Sequence, residues 1–139
     1  MAVGVHGIDF GSGGVVLKAA GLVAADTAET GVFLGRGWHV INLVWTACEA
    51  ATNDEFYNVQ FQANTAAATS TWLDLPNVAF GDTLLLGGAA ETSATGDMAF
   101  AIFNPYDYQV RVNTWVTGTI ATGMNFAVTA YPINVVGAF

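Results

Sequence analysis

The residues of this chain suited to acid–base, nucleophilic or metal chemistry are few: His6, His39, Cys48, Ser12, Ser70, Ser93 and eleven carboxylates. His6 stands in a glycine-rich stretch, and His39 opens an apolar run on the same alternating face as Ile41 and Leu43. Neither has a companion at a ligand spacing such as H-x-x-x-H, so His39 is expected to be hydrogen-bonded locally and not to hold a metal. A single cysteine excludes an intrachain disulfide. A catalytic thiol needs a base and an electropositive setting, whereas Cys48 is followed by Glu49, so it reads as a small buried apolar residue. No serine lies in a G-x-S-x-G frame. The stretch Gly11-Ser12-Gly13-Gly14 lacks the Lys-Ser/Thr that completes a phosphate-binding loop. Asn53-Asp54-Glu55 is the tightest acidic cluster, and Glu91 with Asp97 brackets a loop. Neither follows a calcium-loop pattern, and both read as solvated loop tips. No catalytic constellation, cofactor site or metal site is expected, and the chain is not read as an enzyme.

The elements that would position these residues are strands. Short runs rich in Val, Ile, Phe, Tyr, Trp and Thr alternate with Gly, Asn, Asp and Ala/Thr-rich breaks, and no segment holds a capped 3.6-residue period. Over 108–117, Tyr108, Val110, Val112 and Val116 share one face, and Gln109, Arg111, Asn113, Trp115 and Thr117 the other. The run 124–131 repeats the pattern, with Phe126, Val128 and Ala130 opposite Asn125, Ala127 and Thr129. The short Gly118–Gly123 linker predicts that these two runs form an antiparallel hairpin. Over 55–63, Tyr57, Val59, Phe61 and Ala63 oppose Phe56, Asn58, Gln60 and Gln62. The run 38–47 is apolar on both faces, which predicts a strand covered on both sides, either centrally placed or at a subunit contact. Further strands are expected over 31–34, 71–75, 83–86 and 98–103, and a strand is favoured over a helix for 15–25. About eight strands at intervals of eight to twelve residues predict one all-β domain, a jelly-roll-like antiparallel sandwich over 15–139, preceded by an extended arm over 1–14.

Composition narrows the function. The three basic residues (Lys18, Arg36 and Arg111) face eleven acidic ones, for a net charge of −8. That is too few cations to displace counterions along a nucleic acid or to hold an anionic membrane surface. No stretch approaches the roughly 20 apolar residues of a membrane helix. The absence of Lys or Arg before Lys18 suggests no basic start of a secretion signal, and so a protein used without crossing a membrane. Only 10% of residues are charged, against about 25% in an ordinary soluble domain. Such a surface suits a protein packed against copies of itself or a partner.

Four aromatics project from the polar sides of their runs: Trp38, Trp72, Trp115 and Tyr131. Each offers about 150–250 Å² that is costly to leave wet, so they are expected to serve as contact anchors. Arg111, one of three cations, is expected to pair with an acid. Val3, Val5 and Phe10 are the contact candidates of the arm.

In layout the chain resembles the small jelly-roll decoration, or cement, proteins of tailed-phage heads. The resemblance runs over about residues 30–135, through WHVINLVWTA (38–47), YNVQFQAN (57–64), TWLDL (71–75), NPYDYQVRVNTWVTGT (104–119) and NFAVTAYPINV (125–135). It implies a protein assembled in the host cytoplasm as a homo-oligomer, a trimer in preference to a dimer. Such a protein binds the major capsid protein across subunit junctions on the outside of the virion. It brings no catalytic residues with it. The alternative is a carbohydrate-binding or tail-fibre jelly roll, which glycan binding or particle microscopy would separate from the first.

Overall fold

The computed structural model describes residues 8–9, 13–49, 54–76, 83–87 and 95–135. In chain order its strands are β1 (Ile8–Asp9), β2 (Val15–Val23), β3 (Thr27–Ala28), β4 (Val32–Leu34), β5 (Gly37–Cys48) and β6 (Phe56–Ala63). There follow β7 (Leu73–Asp74), β8 (Leu84–Gly87), β9 (Gly96–Asn104), β10 (Tyr108–Thr117), β11 (Met124–Pro132) and β12 (Asn134–Val135). Among the described residues there is no helix. The segment 15–25 is a strand through Val23, as the glycine spacing favours.

Two antiparallel sheets form the sandwich. The four-stranded sheet has the order β2-β11-β5-β9; the other has β10 and β6 at its centre, flanked by β3 and β4 on one side and β7 and β8 on the other. With β3/β4 and β7/β8 each taken as one broken strand, the pairs nest: β2 with β11, β3/β4 with β10, β5 with β9, β6 with β7/β8. A chain folded in half and rolled up in this way has jelly-roll order. A separate two-residue ladder joins Ile8–Asp9 to Asn134–Val135.

The core follows from the period of two. Tyr57, Val59, Phe61 and Ala63 of β6, Val110 and Val112 of β10, Ile41 and Leu43 of β5, and Met124, Phe126, Val128 and Ala130 of β11 are all buried. Phe61 and Phe100 meet edge to face across the two sheets, 5.7 Å between centroids. Each large side chain enclosed in this way stabilises the fold by about 1.5–3 kcal/mol relative to leaving it wet.

Three expectations are corrected. First, β10 and β11 are not a hairpin: β10 pairs with β3, β4 and β6, and β11 with β2 and β5. The Gly118–Gly123 linker is an arch from one sheet to the other, with Gly118 and Gly123 at φ of +86° and +106°. Both values lie where only glycine is unstrained. Second, β5 is central, yet among the described residues only one of its faces is covered, so central placement does not supply the second cover and the subunit-contact alternative stays open. His39, Ile41 and Leu43 point into the core, whereas Trp38 on the other face is 44% exposed. Third, the strand expected over 71–75 shrinks to Leu73–Asp74, and Trp72 belongs to the loop that follows β6.

Candidate functional site

The sandwich presents two outer sheet faces, and they divide the predicted contact residues between them. Arg111, Trp115 and Trp72 lie on the face of the β10/β6 sheet, and Trp38 and Tyr131 on that of the four-stranded sheet. Val3, Val5 and Phe10, with His6, Ser12, Asn53, Glu91 and Ser93, lie outside the described residues.

On the β10/β6 face, one half is polar and internally bonded. Arg111 Nε donates to Gln62 Oε1 at 3.0 Å, and Gln62 Nε2 donates to Asp74 at 3.0 Å. Thus the acid expected beside Arg111 is reached through an amide. The guanidinium stacks over the Trp72 ring, 4.3 Å from its centroid, a cation–π contact. Burial lowers the Arg111 pKa. The Trp72 ring edge reaches over Gly31, where a Cβ would meet it at 2.6 Å. Asn64 bonds Thr69 and Gln109, and Gln60 bonds Phe61, Leu75 and Thr83. The loop after β6 is thereby strapped across this end of the sheet, and Trp72 is half-buried within it, not a free anchor.

The other half is open and apolar. Cross-strand register places Trp115, Asn58 and Leu85 in one row, and Phe56 beside Thr117 in the next. Trp115 is 37% exposed, Phe56 40% and Leu85 59%. Asn58 Nδ2 donates to the Trp115 carbonyl at 3.2 Å, bracing the row from within. Residue-type reasoning found Trp115 but missed Phe56 and Leu85, and also Phe33 at the sheet's far edge. The signal was present: Phe56 alternates with buried Tyr57 and so had to point outward.

On the four-stranded face, Trp38 packs edge to face on Phe103, with centroids 5.3 Å apart. The half-buried ring of Tyr131 lies over Gly14, where a Cβ would come within 2.7 Å of it.

The titratable groups work within the fold. His39 is buried, its Nε2 2.8 Å from the Gly35 carbonyl oxygen, the local bond expected of it. Lys18 is buried at an irregular stretch of the β2–β11 ladder. Its ammonium donates to the carbonyls of Ala19, Gly21 and Phe126 at 3.1, 3.1 and 2.8 Å, and burial lowers its pKa against the attraction of Glu29. Cys48 is half-buried against the core and not fully enclosed as expected.

The acidic loop residues prove structural. Asp54 accepts the Thr119 amide at 3.0 Å and its hydroxyl at 3.2 Å. Glu49 accepts the amides of Ala121 and Thr122 at 2.9 and 2.7 Å, and that of Gly123. Two carboxylates from the β5–β6 connection thus hold the arch between the sheets. Burial pushes the Glu49 pKa up, but the three amide bonds outweigh it and hold the group below its ordinary value. Nearby, burial and the charges of Glu49, Cys48 and Glu55 push the Tyr57 phenol up to about 12. Among the described residues, no cluster of His, Cys, Asp and Glu is arranged to hold a metal ion.

No family model matches the chain, and no curated protein matches it.

Proposed function

We propose that this protein is a non-enzymatic structural component of a virion, a decoration protein that docks on the outside of a phage head and stabilises the shell. The observation that carries the reading is the open patch of Trp115, Leu85 and, one row on, Phe56 on a braced sheet. Large apolar groups held on a rigid ladder are the anchors a protein partner buries. The layout shared with decoration proteins makes the major capsid protein the partner of choice, and binding of assembled shell in preference to free subunits would shift assembly by mass action. A sugar-binding reading is less well supported, because the Trp72 ring stacks with Arg111 and the amides around it are bonded to one another.

Co-sedimentation with intact heads lacking this protein is the test. Saturable binding at a fixed number of copies per shell is expected. Trp115→Ala should weaken it about 30-fold, the loss of about 2 kcal/mol that marks a hot spot. Folded protein that stays in the supernatant would refute the reading.

A further inference from the structure

We infer that the outer face of the four-stranded sheet is a self-association surface that takes a second copy of this chain, stacked face to face about a two-fold axis. The inference rests on the residues of that face and not on the shell-binding reading.

Register defines the face row by row. Trp38 and Phe103 occupy one end, and Tyr131, Val40 and Ala101 the next row. Val16, Thr129, Asn42 and Ala99 form the middle. Ala127, Val44 and Asp97 lie beyond, then Leu22, Asn125 and Ala47. Across these rows Asp97 is the one charged side chain, although the chain carries eleven acids. Among the described residues nothing covers the face: Val16 is 54% exposed, Leu22 57%, Trp38 44% and Phe103 37%.

Charge argues for a copy of the same chain. Two molecules of net charge −8 repel one another, and they approach at least cost through a surface from which the acids are missing. Area agrees. Four strands about 4.8 Å apart, with nine residues rising about 3.3 Å each, give a face of about 19 by 30 Å. That is about 570 Å² in projection, and side-chain relief brings it toward the roughly 800 Å² that each partner contributes to a standard interface.

Shape selects the axis. The aromatic side chains Trp38, Phe103 and Tyr131 gather at one end of the face, and the other end carries the smaller Ala47, Val44, Ala127, Asp97, Asn125 and Leu22. A two-fold axis lying in the interface and perpendicular to the strands sets the Trp38/Phe103 end of one copy on the small-residue end of the other. It also places Asp97 opposite the Ala101 region of the second copy and away from its own counterpart. An isologous contact of this kind closes at two copies. A sheet face is buried whole by one opposing face, at the spacing of about 10 Å found between sandwich layers. This favours a dimer over the trimer that the layout resemblance implies.

Sedimentation velocity of the purified chain at about 1 to 100 μM tests the inference by mass action. The expected result is a concentration-dependent species of twice 14.5 kDa. Ala101→Glu, which sets a carboxylate against Asp97 of the second copy, should weaken the dimer at least 30-fold. Phe103→Ser, a change at an outward position on an edge strand, should do so without adding charge. Far-UV circular dichroism shows whether each variant has folded. Trp115→Ala, on the opposite face, should leave the dimer intact while losing shell binding, so the two proposals fail separately. A monomer at the highest concentration, a trimer, or a dimer indifferent to both folded variants would overturn the inference.

Discussion

Glu49 shows how a surface acid becomes a structural element in this protein. Its carboxylate accepts the amides of Ala121, Thr122 and Gly123, and those bonds hold its pKa below the ordinary value. A group depressed in the folded state stabilises fully above its unfolded pKa, about 4.3 for glutamate. The contribution is lost as pH falls through the lower folded value. Glu49→Gln should therefore melt below wild type at pH 7, with the gap closing below about pH 4. Thermal melts at the two pH values check this, and an equal gap at both would show that the bonds do not depend on charge. Lys18 is another charge at work inside, since its ammonium satisfies three carbonyls at the irregular β2–β11 ladder. Of the three cations Lys18 is buried, Arg111 is half-buried against Trp72, and Arg36 is exposed.

At the scale of elements, the arch between β10 and β11 decides the topology. Gly118 and Gly123 enter and leave it at positive φ, one against the Asp54 carbonyl and the other against that of Val23. A side chain at either position meets both backbone strain, of about 1–3 kcal/mol, and a main-chain oxygen. Gly118→Ala and Gly123→Ala should each destabilise by at least that amount in urea unfolding. Gly13→Ala, where a Cβ has no neighbour within 4 Å, should stay within about 0.5 kcal/mol of wild type. Equal, small effects at all three positions would contradict the arch. The loop after β6 is a second element with a defined role. Trp72 and Arg111 pin it to the sheet, beside the open apolar surface of Trp115, Phe56 and Leu85.

For the whole molecule, the nested pairing puts β5 and β11 at the centre of one sheet and β6 and β10 at the centre of the other, each hydrogen-bonded on both edges. Native-state amide exchange should find its slowest hydrogens there, with β3 and β7 faster because they open with less loss of packing. Uniform protection across central and edge strands would mean that the sandwich opens only as a unit. Nesting also accounts for the two outer faces. Each sheet spends one face on the shared core, and no third layer covers the other among the described residues. The chain thus has two sides available to partners, one proposed for the shell and one for its own copy.

The amino-acid order by itself determined that the chain is all-β and which side chains of each strand turn inward. The alternation in 56–63, 108–117 and 124–132 is local and needs only the pleat of the backbone. It could not determine that β10 and β11 lie in different sheets, because alternation says which way a side chain points and nothing about which strand lies alongside. Nor could it separate the roles of the tryptophans. Trp72 is held under Arg111, while Trp115 stands open beside Phe56 and Leu85, and only the register between strands distant in sequence makes that difference. The acidic loop had the same ambiguity. A carboxylate near a turn is solvated or structural according to which amides the fold brings within 3 Å, and for Glu49 those amides lie more than seventy residues away.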